Sequence, residues 1–218
     1  NPDISSSSYY IYVIYGLIIS DFTIQCINRI PNELRNQQLT GVIEPIFSSS
    51  NRVLSTFVAS TAFSFIFSLL KVALYIVIAK LFFGVNIISI SNLFIFMTVL
   101  VIYYIFLVGI SLLAASYTVL FKRGNPITVT YIFLSTSIGE TFIPVKTFPE
   151  IFNNFSDLIP TKKALELLRP LENEITYSNF YTDLYYFLSA SIICFALSGV
   201  LFLYSIHLSK KSGSLTSY

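Results

Sequence analysis

The chain has 218 residues, of which 55% are hydrophobic and only 11% are charged, and its formal net charge is +2. Soluble domains average about 25% charged residues, so this composition excludes an ordinary soluble domain and is typical of an integral membrane protein. The small net charge gives no reason to expect nucleic-acid binding. With one histidine and two cysteines in the sequence, no metal site is expected.

Five apolar stretches have about the 20 residues that a membrane-spanning helix needs. They occupy residues 9–26, 53–83, 93–121, 127–145 and 184–208. The stretch 93–121 contains no charged residue at all. We therefore predict an all-α fold, a polytopic membrane helix bundle in which residues 1–218 form one transmembrane domain with five spans.

The positive residues between these stretches predict an orientation. Lysines and arginines concentrate in the 28–52 connection, in the 122–123 turn and in the 210–211 tail. Five spans would put these three segments on one side, and the positive-inside rule makes that side cytoplasmic. Residue 1 would then lie outside, so we expect one more span before it, six spans in the intact chain, and a location in the cell membrane.

The polar connection at residues 28–52 is predicted to be a cytoplasmic segment that binds a soluble partner. It contains a short amphipathic core with apolar residues around one polar turn. This core consists of Leu39, Thr40, Gly41, Val42, Ile43, Glu44, Pro45 and Ile46. A helix this short is marginal in water, so we expect docking on a partner or on the membrane surface to order it.

Residues 146–183 are predicted to form a broken helical element on the outer side. Thr147 and Glu150 have capping-box spacing, with Pro149 in the first helical turn. Pro160 should end that helix, and a second short helix should cover residues 161–169. Together with Pro144, these prolines predict a partly re-entrant element that dips into the outer leaflet, where such backbone is tolerated when it is buried in protein or lines a cavity. The alternative is a helix pair lying on the membrane interface.

Two charged residues inside apolar stretches are candidate intramembrane polar sites, Lys71 and Glu140. A charge at a helix centre costs about 2.5–3.5 kcal/mol on insertion scales, so each should have a partner or water. The sequence leaves three arrangements open for Glu140. It could pair with Lys71, it could face a wet cavity, or its span could end early and leave it at the outer interface.

Three groups of residues, in order along the chain, carry a resemblance to a known family. The first is Glu33, Leu39 and Pro45, with Gln37-Gln38 and Thr40 at positions where the family has Gly-Thr and Glu. The second is a span rich in small residues that ends in a basic turn, with Gly109, Ala114, Ala115 and Lys122-Arg123. The third comprises Phe142-Ile-Pro144, Phe148-Pro149, Pro160-Thr161 and Leu168-Arg169.

With this order and spacing over about residues 9–208, the chain resembles the membrane subunit of an ABC-2 type exporter. The resemblance implies a six-span permease that forms a homodimer or heterodimer of permease chains. It also implies two copies of a separate ATP-binding subunit. The coupling helix, within residues 28–52, would dock on that subunit. The cargo would cross the cell membrane at the expense of ATP hydrolysed by that partner.

The chain itself shows no sequence signature of an enzyme. It lacks a GxxxxGK[ST] phosphate-binding loop, a GxSxG motif and an HExxH motif. We therefore expect a transport subunit with no catalytic residue and no cofactor of its own, with ATP bound by the partner. The alternative functions are an ion-coupled secondary transporter, whose family members often carry inverted repeats, and a membrane scaffold without transport activity.

Overall fold

The computed structural model describes residues 6–41, 53–84, 88–89, 92–121, 125–142, 156–157, 159–172 and 179–211. The described residues fold into α-helices with no strand, which confirms the all-α prediction for this part of the chain. The helices are α1 (Ser6–Leu39), α2 (Val53–Phe83), α3 (Leu93–Phe121), α4 (Pro126–Ser137), α5 (Pro160–Leu168) and α6 (Phe180–Lys211), and a 3-10 helix (Arg169–Glu172) follows α5.

Four described helices are long and apolar enough to cross a membrane, namely α1, α2, α3 and α6. Two predicted stretches, 53–83 and 93–121, have the bounds of α2 and α3, and 184–208 lies inside α6. The predicted stretch 9–26 covers only the first half of α1, which has 34 residues. At 1.5 Å per residue α1 is about 51 Å long, well beyond the roughly 30 Å of a hydrocarbon core.

The remaining predicted stretch, 127–145, contains a shorter helix than expected. Helix α4 has 12 residues and ends at Ser137, and residues 138–142 follow without regular helix. Its length of about 18 Å is too short for the roughly 30 Å hydrocarbon core. The fifth span, and the re-entrant form of the outer element, therefore stay predictions.

Three of the long helices run in one direction and the fourth runs against them. The ring of Tyr15 in α1 lies beside Phe96 in α3, and the ring of Tyr103 in α3 lies beside Phe187 in α6. Farther along, Thr23 of α1 meets Tyr103. Helix α2 is antiparallel to α1, since its last residue, Phe83, packs on Tyr10. We call the end where α1, α3 and α6 begin the upper end, and the opposite end the lower end.

Helix α3 lies at the centre of the bundle and packs against the other five α-helices. Close packing with α6 is possible because α3 has a glycine at the contact, Gly109. A Cβ atom there would lie 3.2 Å from the Cys194 sulfur and from the Phe195 backbone. By contrast, only 17% of the α2 span and 22% of the α6 span are buried. Their apolar outer faces suit contact with lipid.

Helix α1 continues past residue 26 because one of its faces remains apolar. Ile30 and Leu34, a helical turn apart, are fully buried against Val53 and Phe57 of α2 in the lower core. Pro31 lies inside the helix. The helix ends at Leu39, and Gly41, two residues later, has a φ of 72°, the left-handed conformation that a glycine adopts readily after a helix terminus. Residues 28–39 of the predicted polar connection are thus an extension of the first long helix.

Candidate functional site

Five hydroxyl groups from four helices meet in the upper half of the bundle. Tyr103 of α3 contacts Thr23 of α1 at 2.6 Å and Thr161 of α5 at 3.0 Å. Thr161 also contacts Tyr131 of α4 at 3.2 Å and Ser135 of α4 at 2.8 Å. We call these residues the hydroxyl cluster; Thr161 is its hub and its side chain is fully buried.

The hydrogen bonds of the hydroxyl cluster have one consistent direction. Thr23 donates its proton to the carbonyl oxygen of Ile19 at 2.6 Å, so Tyr103 must donate to Thr23. Tyr103 then accepts from Thr161. Each hydroxyl has one proton and two lone pairs, so Thr161 accepts from both Tyr131 and Ser135. Thr161 thereby uses its full hydrogen-bonding capacity.

The hydroxyl cluster holds the first turn of α5 deep inside the bundle. Thr161 reaches Tyr103, which lies ten residues after the start of α3 at Leu93, a depth of about 15 Å along that helix. The 3-10 helix that follows α5 lies near the start of α3, where the Asn92 side chain donates a hydrogen bond to the Leu171 carbonyl at 3.0 Å. The segment from Pro160 to Leu171 therefore rises from the interior to the upper end.

Glu140 connects this segment to α1 and to the end of α4. Its carboxylate lies 3.3 Å from the Lys162 ammonium and 3.6 Å from the Arg169 guanidinium. Its carbonyl oxygen accepts hydrogen bonds from Arg169 and from the Tyr12 hydroxyl. Arg169 also stacks on the Tyr12 ring, with the guanidinium carbon 3.8 Å from the ring centroid. Glu140 has a φ of 55°, an uncommon left-handed conformation for a residue other than glycine.

Lys162 is the most enclosed cation of this charged group. Its side chain is 11% exposed and forms a 2.6 Å ion pair with Asp157. Burial disfavours the ammonium, but the hydrogen bond to Asp157 and the charge of Glu140 outweigh that effect and raise the pKa of Lys162. Lys162 is therefore charged at neutral pH and can hold Glu140 in place.

The turn that carries Glu140 packs directly on the α1 backbone. Gly16 lies at the contact, and a Cβ atom there would overlap the carbonyl oxygen of Thr141. The Thr141 hydroxyl in turn donates to the Ser135 carbonyl at 2.7 Å. Glycine is needed at position 16 because the turn approaches α1 more closely than any side chain would allow.

Lys71 does not pair with Glu140. Its ammonium lies 3.4 Å from the Asp21 carboxylate of α1 and near the face of the Phe67 ring. Asp21 also accepts hydrogen bonds from Gln25 at 2.7 Å and from Tyr75 at 3.4 Å. Asp21 is followed by 18 more residues of α1, so it does not lie at the end of that helix. The pair lowers the energy of both charges between apolar helices.

A polar stripe continues from Asp21 toward the lower end of α1. It lines a groove of ≈ 450 Å³ between α1 and α2, whose α2 wall is formed by Phe63, Ser64 and Phe67. The α1 wall consists of Ile24, Gln25, Asn28, Arg29, Asn32, Glu33 and Asn36. These side chains can bind water or polar groups over the lower half of α1. That half of the helix therefore has one buried apolar face and one polar face.

The predicted partner-binding residues begin where α1 ends. Leu39 is 63% exposed. Thr40 closes the helix with a 2.9 Å hydrogen bond from its hydroxyl to the Asn36 carbonyl, and Gly41 follows in the left-handed conformation. Val42, Ile43, Glu44, Pro45 and Ile46 lie outside the described residues, as do Pro144 and Pro149 of the outer element. Pro160 is the first residue of α5.

Sequence reasoning singled out Lys71 and Glu140 but missed their partners. Asp21 and Lys71 are 50 positions apart, and Glu140 is separated from Arg169 by 29. The hydroxyl cluster was also missed, since serines, threonines and tyrosines occur throughout the apolar stretches. One signal was available, because Asp21, Gln25, Asn28, Asn32 and Asn36 recur at helical spacing and mark one polar face.

Four long apolar helices, with α3 at their centre, define a multi-pass α-helical membrane protein. A family model described as ABC-2 type transporter matches residues 7–173, which is most of the chain. The chain therefore belongs to the ABC-2 type transporter family, and it is a permease of the ABC transporter class. A comparison with curated proteins found no match.

Proposed function

We propose that this chain is the permease subunit of an ATP-driven ABC-2 exporter in the cell membrane. The observation that carries the proposal is the family match over residues 7–173. ATP would be hydrolysed on a separate nucleotide-binding subunit, and two permease chains would assemble with two copies of it. The upper end of the bundle would face the outside and the lower end the cytoplasm.

The distribution of charge supports this orientation. Arg29 and Arg35 lie on the lower half of α1, and Lys210 and Lys211 form the last turn of α6 at the same end. At the upper end the cations of α5 and the 3-10 helix are matched by acidic residues. The lower end is the more positive one, as the positive-inside rule requires of a cytoplasmic side.

The parallel course of α3 and α6 supports a fifth crossing. Helix α3 ends at the lower end and α6 begins at the upper end, so the connecting chain has to return across the bundle. The return includes α4 and the Glu140 turn, which reaches Tyr12 near the start of α1. The depth of Thr161 supports a re-entrant α5, because its backbone lies buried against other helices, where such elements are tolerated.

The proposed coupling contact is the segment Leu39–Ile46. Helix α1 is about 51 Å long and extends beyond a hydrocarbon core of roughly 30 Å, so its lower end can carry this segment into the cytoplasm. The exposed apolar side chain of Leu39 suits contact with a partner protein. Docking there would connect ATP hydrolysis to the long helix.

Substitution of Ile43 tests the proposal. Ile43→Asp places a carboxylate in the expected apolar contact, where an unpaired buried charge is costly. We expect loss of co-purification with the ATP-binding subunit, or loss of transport-coupled ATPase activity, while membrane insertion is retained. Ile43→Val is the matched control and should behave like the wild type. Wild-type assembly and coupling in Ile43→Asp would contradict the role of the segment.

A further inference from the structure

Two neighbouring cavities lie between α5, the 3-10 helix and the first turns of α6. The upper one has a volume of ≈ 520 Å³ and the lower one ≈ 250 Å³. Asp157, Lys163 and Asp183 line both, so the two are adjacent. Arg169 and Asp157 belong both to the wall of the upper cavity and to the charged group around Glu140, whereas no residue of the hydroxyl cluster lines either cavity.

The upper cavity has charged walls of both signs. It is lined by the cations Lys163 and Arg169 and by the carboxylates of Asp157, Glu166 and Asp183. Lys163 pairs with Glu166 at 2.8 Å, and both side chains are about two-fifths exposed, at 43% and 39%. The Nε–H group of Arg169 is buried and has no hydrogen-bond partner among the described residues. The rest of the guanidinium is held by the Glu140 carboxylate and carbonyl oxygen, so Arg169 is fixed in position at the cavity wall.

The lower cavity is mostly apolar. Beneath the shared charged residues its walls are formed by Phe106, Pro160, Tyr186, Phe187 and Ala190. Tyr186 is 66% exposed on the face of α6 that is directed away from the bundle. The cavity is therefore bordered by side chains that suit the membrane interface, where tyrosines are enriched.

We propose that this cavity pair binds one zwitterionic phospholipid of the surrounding bilayer leaflet. The phosphate meets Arg169 and Lys163, and the ammonium of the headgroup meets the carboxylates of Asp183 and Glu166. One acyl chain enters the lower cavity between Phe187 and Pro160. The site rests on membrane insertion alone and is independent of ATP coupling.

Charge complementarity selects this class of ligand. The upper cavity has three carboxylates against two cations, so a purely anionic headgroup would meet excess negative charge. An uncharged lipid would bring neither a phosphate for the two cations nor an ammonium for the three carboxylates. A headgroup with both a phosphate and an ammonium matches both signs, and charge-assisted hydrogen bonds to a phosphate are among the stronger ones.

Photolabelling in nanodiscs tests the site. The nanodiscs contain phosphatidylcholine with a photoreactive group in one acyl chain, and labelled residues are mapped by mass spectrometry. We expect labels on Phe106 and Phe187. Ala190→Trp fills the lower cavity and should reduce those labels at least fivefold. Ile193→Trp is the matched control, because Ile193 is 58% exposed on the same helix outside the cavity; it should leave the labels unchanged.

Two further measurements make the test decisive. Phosphatidylglycerol and diacylglycerol carrying the same photoreactive chain should label the two residues less than phosphatidylcholine does. Equal labelling by all three lipids would show ordinary bilayer contact and overturn the proposal, as would absent labelling or labelling that Ala190→Trp does not change. Size-exclusion profiles and melting temperatures of both variants should match the wild type, so that a loss of label is not a loss of fold.

Discussion

Thr161 is the residue on which the upper half of the bundle depends most. It joins α5 to α3 and α4 through three hydroxyl contacts of 3.2 Å or less. The single consistent direction of these bonds means that Thr161 is both a donor and a double acceptor. A side chain of the same shape without the hydroxyl cannot replace it, because Tyr131 and Ser135 would each lose the acceptor that Thr161 offers.

We expect Thr161→Val to destabilise the fold while preserving the side-chain volume. A buried hydroxyl left without a partner costs about 1–3 kcal/mol, and this substitution removes the hub of the cluster. Thermal unfolding in detergent should show a lower melting temperature, and proteolysis of the segment that contains α5 should be faster. Thr161→Ser keeps the hydroxyl and should stay close to the wild type; equal loss in both variants would contradict the hydrogen-bond explanation.

At the scale of whole elements, α1 and the Glu140 turn are joined without space for a side chain. The turn rests on Gly16, and the ion pairs of Glu140 then fix α5 and the 3-10 helix in relation to α1. The position of the proposed re-entrant segment therefore depends on a backbone contact between two other elements.

We expect Gly16→Ala to push the Glu140 turn away from α1. The new Cβ atom would overlap the Thr141 carbonyl, and overpacking of this kind costs about 1–3 kcal/mol. The melting temperature in detergent should fall. Gly199→Ala is the control, since a Cβ there would only touch Leu54 at 3.7 Å, and it should be neutral or slightly stabilising because alanine favours helix. Equal stability of both variants would contradict the close contact.

The helices whose bounds could be predicted from the sequence are those in which polar residues flank an apolar run. Helices α2 and α3 begin and end where apolar runs give way to polar residues, so the predicted bounds agree with the structure. Helix α1 differs because residues 28–39 are mostly polar, although Ile27, Ile30 and Leu34 keep the helical spacing of a buried face. The partners of Lys71 and Glu140 depend on how distant helices align, which spacing along one helix cannot reveal.

At the scale of the whole molecule, the proposed orientation assigns each end of the bundle to one side of the membrane. Accessibility of single cysteines near each end can test the assignment without a transport assay. Cys26 is fully buried and Cys194 is partly buried, and replacing both by alanine gives a background without native thiols.

In that background, single cysteines should report the two sides. Cysteines at Ser89 and Asn173 should react with a membrane-impermeant maleimide in intact cells, because the proposal puts them outside. Cysteines at Gln37 and Ser212 should react only after permeabilisation. Labelling of Gln37 in intact cells would overturn the orientation, and a fully permeabilised sample controls for thiols that are simply unreactive.

Pro31 divides α1 into a long upper part and a short lower part. It lacks the N–H of one backbone hydrogen bond, but the 34-residue helix continues on both sides of it, and we take Pro31 as the pivot for a tilt of the whole helix. At 1.5 Å per residue, Tyr12 lies about 28 Å above the pivot and Leu39 about 12 Å below it. If the helix turns about Pro31 as one rod, a displacement of 1 Å at Leu39 becomes about 2 Å at Tyr12 by this geometry. Hydrogen bonds weaken over a few tenths of an ångström, so under the proposed orientation a movement of about 1 Å at the Leu39 end would weaken the Tyr12 hydrogen bond to Glu140 at the opposite end.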